Sequence, residues 1–215
     1  MENYRVVVCG FEKYEGVEQN PSRLVAETLA DEGISLDNAT VSITCVLLPL
    51  SFAHAWPTLK AALDQVKPHM VLASGLKTHA RTIALERCAT NIIDASRPDA
   101  DNVQPKDTRI LESGPAAYWT GLPLRAVSEQ FAAHDIPVTF SSDAGTFVCN
   151  SLFYELLDWS SHQENAYAGF VSFPHVEKQV GYTQGMKLYV MVNAARDIIT
   201  TTLNFRKNNM TQQDE

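Results

Sequence analysis

The chain of 215 residues contains 45% hydrophobic and 20% charged residues and has a formal net charge of −8. This balance is typical of one globular domain, and no Pro/Gly/Ser-rich linker divides the sequence. Because the basic residues are scattered and outnumbered, a nucleic-acid partner or an anionic membrane surface is disfavoured. The apolar runs are far shorter than the roughly 18 residues that cross a bilayer, so we expect a cytoplasmic protein without a membrane partner.

The first half of the chain alternates strand and helix signals. The apolar run from Tyr4 to Cys9 predicts a strand buried on both faces. Asn20 as N-cap, Pro21 at the first helical position and Gly33 as the stop predict a helix over residues 21–31. An α/β layer fold follows from this order. Further strands are predicted at 41–47, 70–73 and 83–92, the last with a helix as the alternative, and a further helix at 55–66.

The second half opens with residues 94–114, which are acidic and have almost no apolar periodicity. They predict a long loop, either functional or simply exposed. A domain over residues 1–207 and a polar C-terminal tail over 208–215 are predicted. Regular structure after the loop is predicted as helices at 124–134, 146–159 and 185–203 and strands at 138–141 and 167–173.

The four cysteines match neither a disulfide framework nor a metal-ligand spacing. Cys9, Cys45 and Cys88 lie in strand-like segments, where a thiol behaves as a small buried hydrophobe. Cys149 instead follows a strand and the loop Ser-Ser-Asp-Ala-Gly, in the first turn of a helix. Free amide groups and the helix dipole favour a thiolate there. Cys149 is therefore the candidate nucleophile and the thiol expected to react first, with a packed core thiol as the alternative.

Cysteine catalysis needs a base and a group that orients it. His175 follows the end of a predicted strand, where sites of α/β sheets assemble, although an exposed loop histidine is the alternative. Glu86 lies in an apolar segment and should be buried and paired, whether in a structural ion pair or in catalysis. The remaining histidines are predicted on helices or in polar loops and are read as solvated: His54, His69, His79, His134 and His162.

The order of these residues along the chain resembles the sequence pattern of the pyroglutamyl peptidase I family of cysteine peptidases. The resemblance extends from about Val6 to Gln179. The resemblance implies a single-domain α/β fold, an αβα sandwich around a twisted, mostly parallel sheet. It also implies a homotetramer and neither a metal nor an organic cofactor. The blocks that carry it are GFEKYEG with Asn20-Pro21-Ser22, ERCATNIIDA, Gln104-Pro105 with Asp107, GPAAY with Leu122-Pro123, SSDAGTFVCN, and GF with Pro174 and Gln179.

The same resemblance implies roles for individual residues. Cys149 matches the family nucleophile, and Glu86 matches the acidic member of the triad. The substrate implied is a peptide with an N-terminal pyroglutamyl residue, or another small lactam. The positions that shape the pocket for the lactam ring are matched by Phe11, Tyr14, Asn20, Phe147 and Val148.

The chain departs from the family where the chemistry takes place. The family's histidine lies two residues before the proline of GFxHxP, and here Ser172 occupies that position. Since serine is not a base near neutral pH, two hypotheses follow. Either His175 or another histidine serves Cys149 in a rearranged triad, or the pocket binds a small lactam or amide ligand with weak or no catalysis.

Two further segments differ from the family pattern. The Gly-Gly-Arg expected before Glu86 is replaced by His79 and Ala80, with Arg81 one place later. The arginine expected in a DAR segment is matched by Ser96, with Arg97 beside it.

Overall fold

The structure is a computed structural model that describes residues 2–14, 16–177 and 185–213. Gln179 of the family pattern lies outside the described residues. The helices are α1 (Pro21–Glu32), α2 (Ala55–Val66), α3 (Leu124–Ala133), α4 (Val148–Ser161) and α5 (Leu188–Gln213). The strands are β1 (Glu2–Phe11), β2 (Ser35–Leu36), β3 (Ala39–Leu48), β4 (Met70–Leu76), β5 (Ile83–Glu86), β6 (Cys88–Thr90), β7 (Ala117–Trp119), β8 (Val138–Ser141) and β9 (Tyr167–Phe173).

Seven strands form one sheet in the order β2-β3-β1-β4-β9-β5-β8. Its pairings are parallel except between β2 and β3 and between β5 and β9. One core cluster joins the sheet to α1, α3 and α5, and a second joins the opposite face to α2 and α4. The predicted αβα sandwich around a mostly parallel sheet is therefore confirmed. Within the described part of the chain, no helix is both long and apolar enough to cross a membrane.

The first strand-helix unit forms as its local signals predict. Asn20 caps α1 by accepting hydrogen bonds from the Ser22 amide at 3.2 Å and the Ser22 hydroxyl at 2.9 Å. Gly33 ends the helix with a positive φ of 70°. A Cβ at Gly10 would lie 2.3 Å from the carbonyl oxygen of Ser22, so glycine lets β1 run directly against the start of α1.

The segment predicted as one strand over residues 83–92 is two strands. β5 stays in the main sheet, whereas β6 pairs with β7 in a separate ladder. The break lies at Arg87, whose amide donates to the carbonyl of Ser141 while its own carbonyl accepts from Thr120. The chain therefore leaves the sheet directly after Glu86, which becomes the last residue of β5.

The C-terminal helix also differs from its predicted bounds. It begins at Leu188 and continues to Gln213, so residues 208–213 of the predicted tail are helical. Its buried side chains belong to the first core cluster, among them Met191, Ile198 and Leu203. The domain boundary at residue 207 stays a prediction.

Candidate active site

The carboxyl ends of the parallel strands face a cavity of about 670 Å³. This is the edge at which α/β sheets form their sites, because the loops after neighbouring strands meet there. The start of α4 and the loop around residues 94–97 form the opposite wall. Lining residues that follow or end the strands are Tyr14 after β1, Leu50 after β3, Lys77 after β4 and Ser172 near the end of β9.

Cys149 lies in the first turn of α4, as predicted, and its half-buried side chain lines this cavity. A Cβ added to Gly75 would lie 3.0 Å from Cys149 Sγ. Gly75 therefore leaves the space in which the sulfur rests against β4. The thiol is held at the sheet edge by the helix start and this close approach.

The electrostatic surroundings of the sulfur differ from the prediction. Burial raises the pKa of Cys149 to about 12, and the Glu86 carboxylate adds to this effect. The positive charge of Arg97 and the cysteine's own backbone amide lower the pKa, but by less. The backbone amide acts in the predicted direction, but desolvation outweighs it in this arrangement of charges. Cys149 is a neutral thiol near pH 7.

Glu86 is fully buried at the end of β5. Its Oε1 accepts a hydrogen bond from the Ser172 hydroxyl at 2.7 Å and one from Lys77 Nζ at 3.2 Å. Its Oε2 is buried and has no hydrogen-bond partner among the described residues. The prediction that Glu86 is buried and paired is confirmed.

Ser172 connects the carboxylate to the cavity. It lies opposite Gly75 in the register of β4 and β9. Its side chain is 6% exposed, lines the cavity beside Cys149 and donates to Glu86. The position at which the family pattern has histidine therefore lies between the buried acid and the space above the thiol, but it carries a hydroxyl.

Two histidines near the carboxyl ends of the strands bear on the site, His175 shortly after β9 and His79 after β4. His175 is 1% exposed, its main-chain carbonyl accepts from the Met186 amide at 2.8 Å, and within the described part of the chain it is not among the residues that line the cavity. His79, read from the sequence as solvated, is exposed in the turn after β4 and does line the cavity. Its replacement of a family glycine was the signal that could have identified it.

The five predicted substrate-binding residues divide into two groups. Tyr14 and Phe147 line the cavity. The guanidinium of Arg97 lies 5.3 Å from the ring centroid of Tyr14 and 4.9 Å from that of Phe147. The others lie behind this surface, each 1% exposed: Phe11, Asn20 and Val148.

Lys77 is a site residue that the sequence analysis missed. Its Nζ donates to Glu86, to the Ser141 hydroxyl at 3.0 Å and to the main-chain carbonyl of Asp143 at 2.7 Å. Its side chain is 38% exposed and lines the cavity. A lysine directly after an apolar strand, at the carboxyl edge of the sheet, was the available signal. The described residues contain no group of three or more side chains that could hold a metal ion.

The chain is similar in sequence and in fold to known peptidases. The family model described as pyroglutamyl peptidase matches residues 4–203. A pyrrolidone-carboxylate peptidase of Bacillus subtilis is 36% identical over 176 residues, which cover 81% of this chain and 80% of that protein. A pyrrolidone carboxyl peptidase structure from Thermococcus litoralis superposes with a TM-score of 0.89 at 32% identity, covering 96% of each chain. The pyroglutamyl peptidase I of Bacillus amyloliquefaciens superposes with a TM-score of 0.84 at 31% identity, covering 93% of this chain and 96% of that one.

Proposed function

The chain belongs to the pyroglutamyl peptidase family of cysteine peptidases, and from this premise we propose that it slowly hydrolyses the amide bond after an N-terminal pyroglutamyl residue. One observation supports the proposal most directly. Cys149 and Ser172 line a single cavity, and Ser172 is hydrogen-bonded to the buried Glu86. This arrangement supports Cys149 as nucleophile, position 172 as the relay and Glu86 as the acid of a cysteine triad.

In the first step the sulfur of Cys149 attacks the pyroglutamyl carbonyl carbon. The first backbone amides of a helix have no partner inside that helix, so the start of α4 offers N–H groups to the developing oxyanion. Arg97 adds positive charge near the sulfur. Collapse of the tetrahedral intermediate releases the peptide amine and leaves a thioester, which water then hydrolyses.

Proton transfer is the slow part of this reaction. The thiol must lose its proton before attack, and the leaving amine must gain one. Ser172 does not accept a proton near neutral pH, whereas a positioned imidazole contributes about 10²–10⁴-fold. The high pKa of Cys149 lowers the rate of attack further, because little thiolate is present. That His175 serves Cys149 stays a prediction from the sequence, and the slow reaction proposed here does not require it, because His175 does not line the cavity.

Recognition of a lactam ring is supported by the two cavity-lining aromatic residues. Tyr14 and Phe147 provide apolar faces for a small, uncharged ring. Asn20 lies behind the cavity wall and supports it, because its side-chain amide donates to the Glu12 carbonyl and its side-chain oxygen caps α1. Phe11 and Val148 support the same wall from the core.

A second candidate function is lactam binding without turnover. The observation that favours it is that the cavity contains a Cys149 thiol with a raised pKa and, at position 172, a hydroxyl in place of an imidazole. The pocket walls do not depend on that chemistry, so a ligand can bind where it is not cleaved.

A fluorogenic pyroglutamyl amide tests both candidates. We expect slow release of the fluorophore that Cys149→Ala reduces to the uncatalysed rate, while the matched change Cys45→Ala on β3 leaves it unaltered. Absence of release together with calorimetric binding of a pyroglutamate-like lactam supports the second function instead. Absence of both contradicts the two proposals. The homotetramer and the cytoplasmic location stay predictions, the first testable by light scattering.

A further inference from the structure

Lys77 is the cation that neutralises the buried acid of the site. Its side chain is 38% exposed while that of Glu86 is fully buried, and the two are 3.2 Å apart. Leaving a buried carboxylate without a positive partner is costly. Ser172, the other donor to Glu86 Oε1, is uncharged. Among the ion pairs of the described residues, Lys77 is the partner of Glu86.

The strand register explains how Lys77 reaches this carboxylate. Its amide donates to the carbonyl of Phe173 at 2.9 Å, which extends the pairing of β4 with β9 by one residue. Side chains alternate along a strand, so position 77 shares a face with Gly75, the residue against which the Cys149 sulfur rests. The ammonium and the Ser172 hydroxyl then meet at one oxygen of Glu86.

The same ammonium also holds the chain that leads to the nucleophile. Its other two acceptors, the Ser141 hydroxyl and the Asp143 carbonyl, lie at the end of β8 and in the loop before α4. Ser141 accepts from the Asp143 amide, so the loop start is tied together around the lysine. One side chain therefore joins the acid to the loop that precedes Cys149.

We propose that Lys77 is a positioning residue that takes the place of the absent imidazole as the positive partner of Glu86 and holds residues 141–143 beside the nucleophile. An ammonium at position 77 and an imidazole at position 172 are then alternative partners of one carboxylate. The expected effect of Lys77 on catalysis rests on the proposed peptidase function. The exchange of the ammonium for an imidazole as the partner of Glu86 does not.

Thermal unfolding at about pH 6, where an imidazole near a carboxylate is protonated, tests the exchange. Lys77→Met should lower the unfolding midpoint by about 5 °C or more, because it leaves Glu86 without a cation. Adding Ser172→His should restore most of that loss, although the same change alone should not raise the midpoint comparably. The matched variant Lys60→Met removes a lysine paired with Asp64 at a distant surface and should show no such coupling.

If Lys77→Met does not fold, Lys77→Gln keeps a donor to Glu86 without the charge and takes its place. Recovery of folding by Ser172→His in either background supports the exchange. A midpoint that Ser172→His fails to restore, in either background, overturns it.

Measurements of kcat/KM distinguish a positioning role of Lys77 from a purely structural one. The gain in kcat/KM from Ser172→His should be about tenfold larger when Lys77 is replaced by Met than when Lys77 is present. The acid limb of the pH profile should also lie at higher pH in the Lys77→Met background, because the ammonium that disfavours the imidazolium is then absent. Equal gains and unshifted profiles in the two backgrounds contradict the positioning role. Loss of the peptidase function alone would remove this readout and leave the unfolding result intact, so the two failures are distinguishable.

Discussion

The start of α4 and the end of β9 border the same cavity, but they contribute differently to the proposed cysteine chemistry. The start of α4 keeps the cysteine, the small-residue approach loop and the close contact with Gly75. The end of β9 keeps its register beside β4 but presents the hydroxyl of Ser172. The proposed nucleophile is therefore in place, whereas the proposed relay position lacks a base.

The two regions differ because they are held by different forces. Helix and sheet packing positions Cys149, which lies against the second core cluster. The proposed proton relay depends on one side chain, at position 172, whereas the positive partner of Glu86 is another residue, Lys77. A fold can therefore preserve a site's shape while its electrostatics are rebuilt.

Restoring an imidazole at the end of β9 is the largest expected change. Ser172→His places a base between Glu86 and Cys149, and we expect kcat/KM for a pyroglutamyl amide to rise by about a hundredfold. The control is Ser161→His on the exposed end of α4, which should have no effect. Unchanged activity after Ser172→His would show that another base already serves the thiol.

Alkylation of Cys149 measures the electrostatics at the start of α4. With a pKa of about 12, the thiolate fraction and the rate of iodoacetamide labelling should rise about tenfold per pH unit above neutrality. Ser172→His should speed labelling at pH 7 and flatten this dependence. A plateau near pH 7 in the unaltered protein would contradict this account. Mapping the adducts tests separately the sequence-based expectation that Cys149 reacts before Cys9, Cys45 and Cys88.

The third prediction concerns the carboxyl group of Glu155 on α4 and its effect on the free energy of unfolding. Burial, and then the nearby Asp158, raise the pKa of Glu155 from 4.5 to about 7. Its contribution to stability is therefore present below about pH 4.5 and is lost as pH rises through about 7. Glu155→Gln should raise the free energy of unfolding by about 1–3 kcal/mol at pH 8 and leave it nearly unchanged at pH 4. The change is measured by chemical denaturation, and the matched variant Glu112→Gln at an exposed position should alter the free energy of unfolding little.

Replacing His175 gives the smallest expected effect on catalysis. Because His175 does not line the cavity, His175→Gln should alter kcat/KM by less than about threefold, even where its burial makes the protein less stable. A loss of about a hundredfold in a variant shown to be folded by circular dichroism would identify His175 as the base. In that case Ser172→His should have little effect.

Much of the fold was predictable because its signals are local. Apolar runs, the cap at Asn20 and the stop at Gly33 act within a few residues, and the bounds of α2, β8 and β9 agree with the prediction. The break after Glu86 was not predictable, since it depends on hydrogen bonds from Arg87 to segments more than 30 residues away. The same limit applies to the extra strands β2 and β7.

The sequence by itself determined the residue types of the site: Cys149 at a helix start, Glu86 in an apolar strand and Ser172 where the family pattern has histidine. Only the tertiary structure decided their chemistry. Desolvation and charge act through space, so the raised pKa of the thiol and the pairing of Glu86 with a lysine required the packed arrangement. Glu86 and Ser172 are 86 positions apart in the chain, and their hydrogen bond exists because β5 and β9 pair in the sheet.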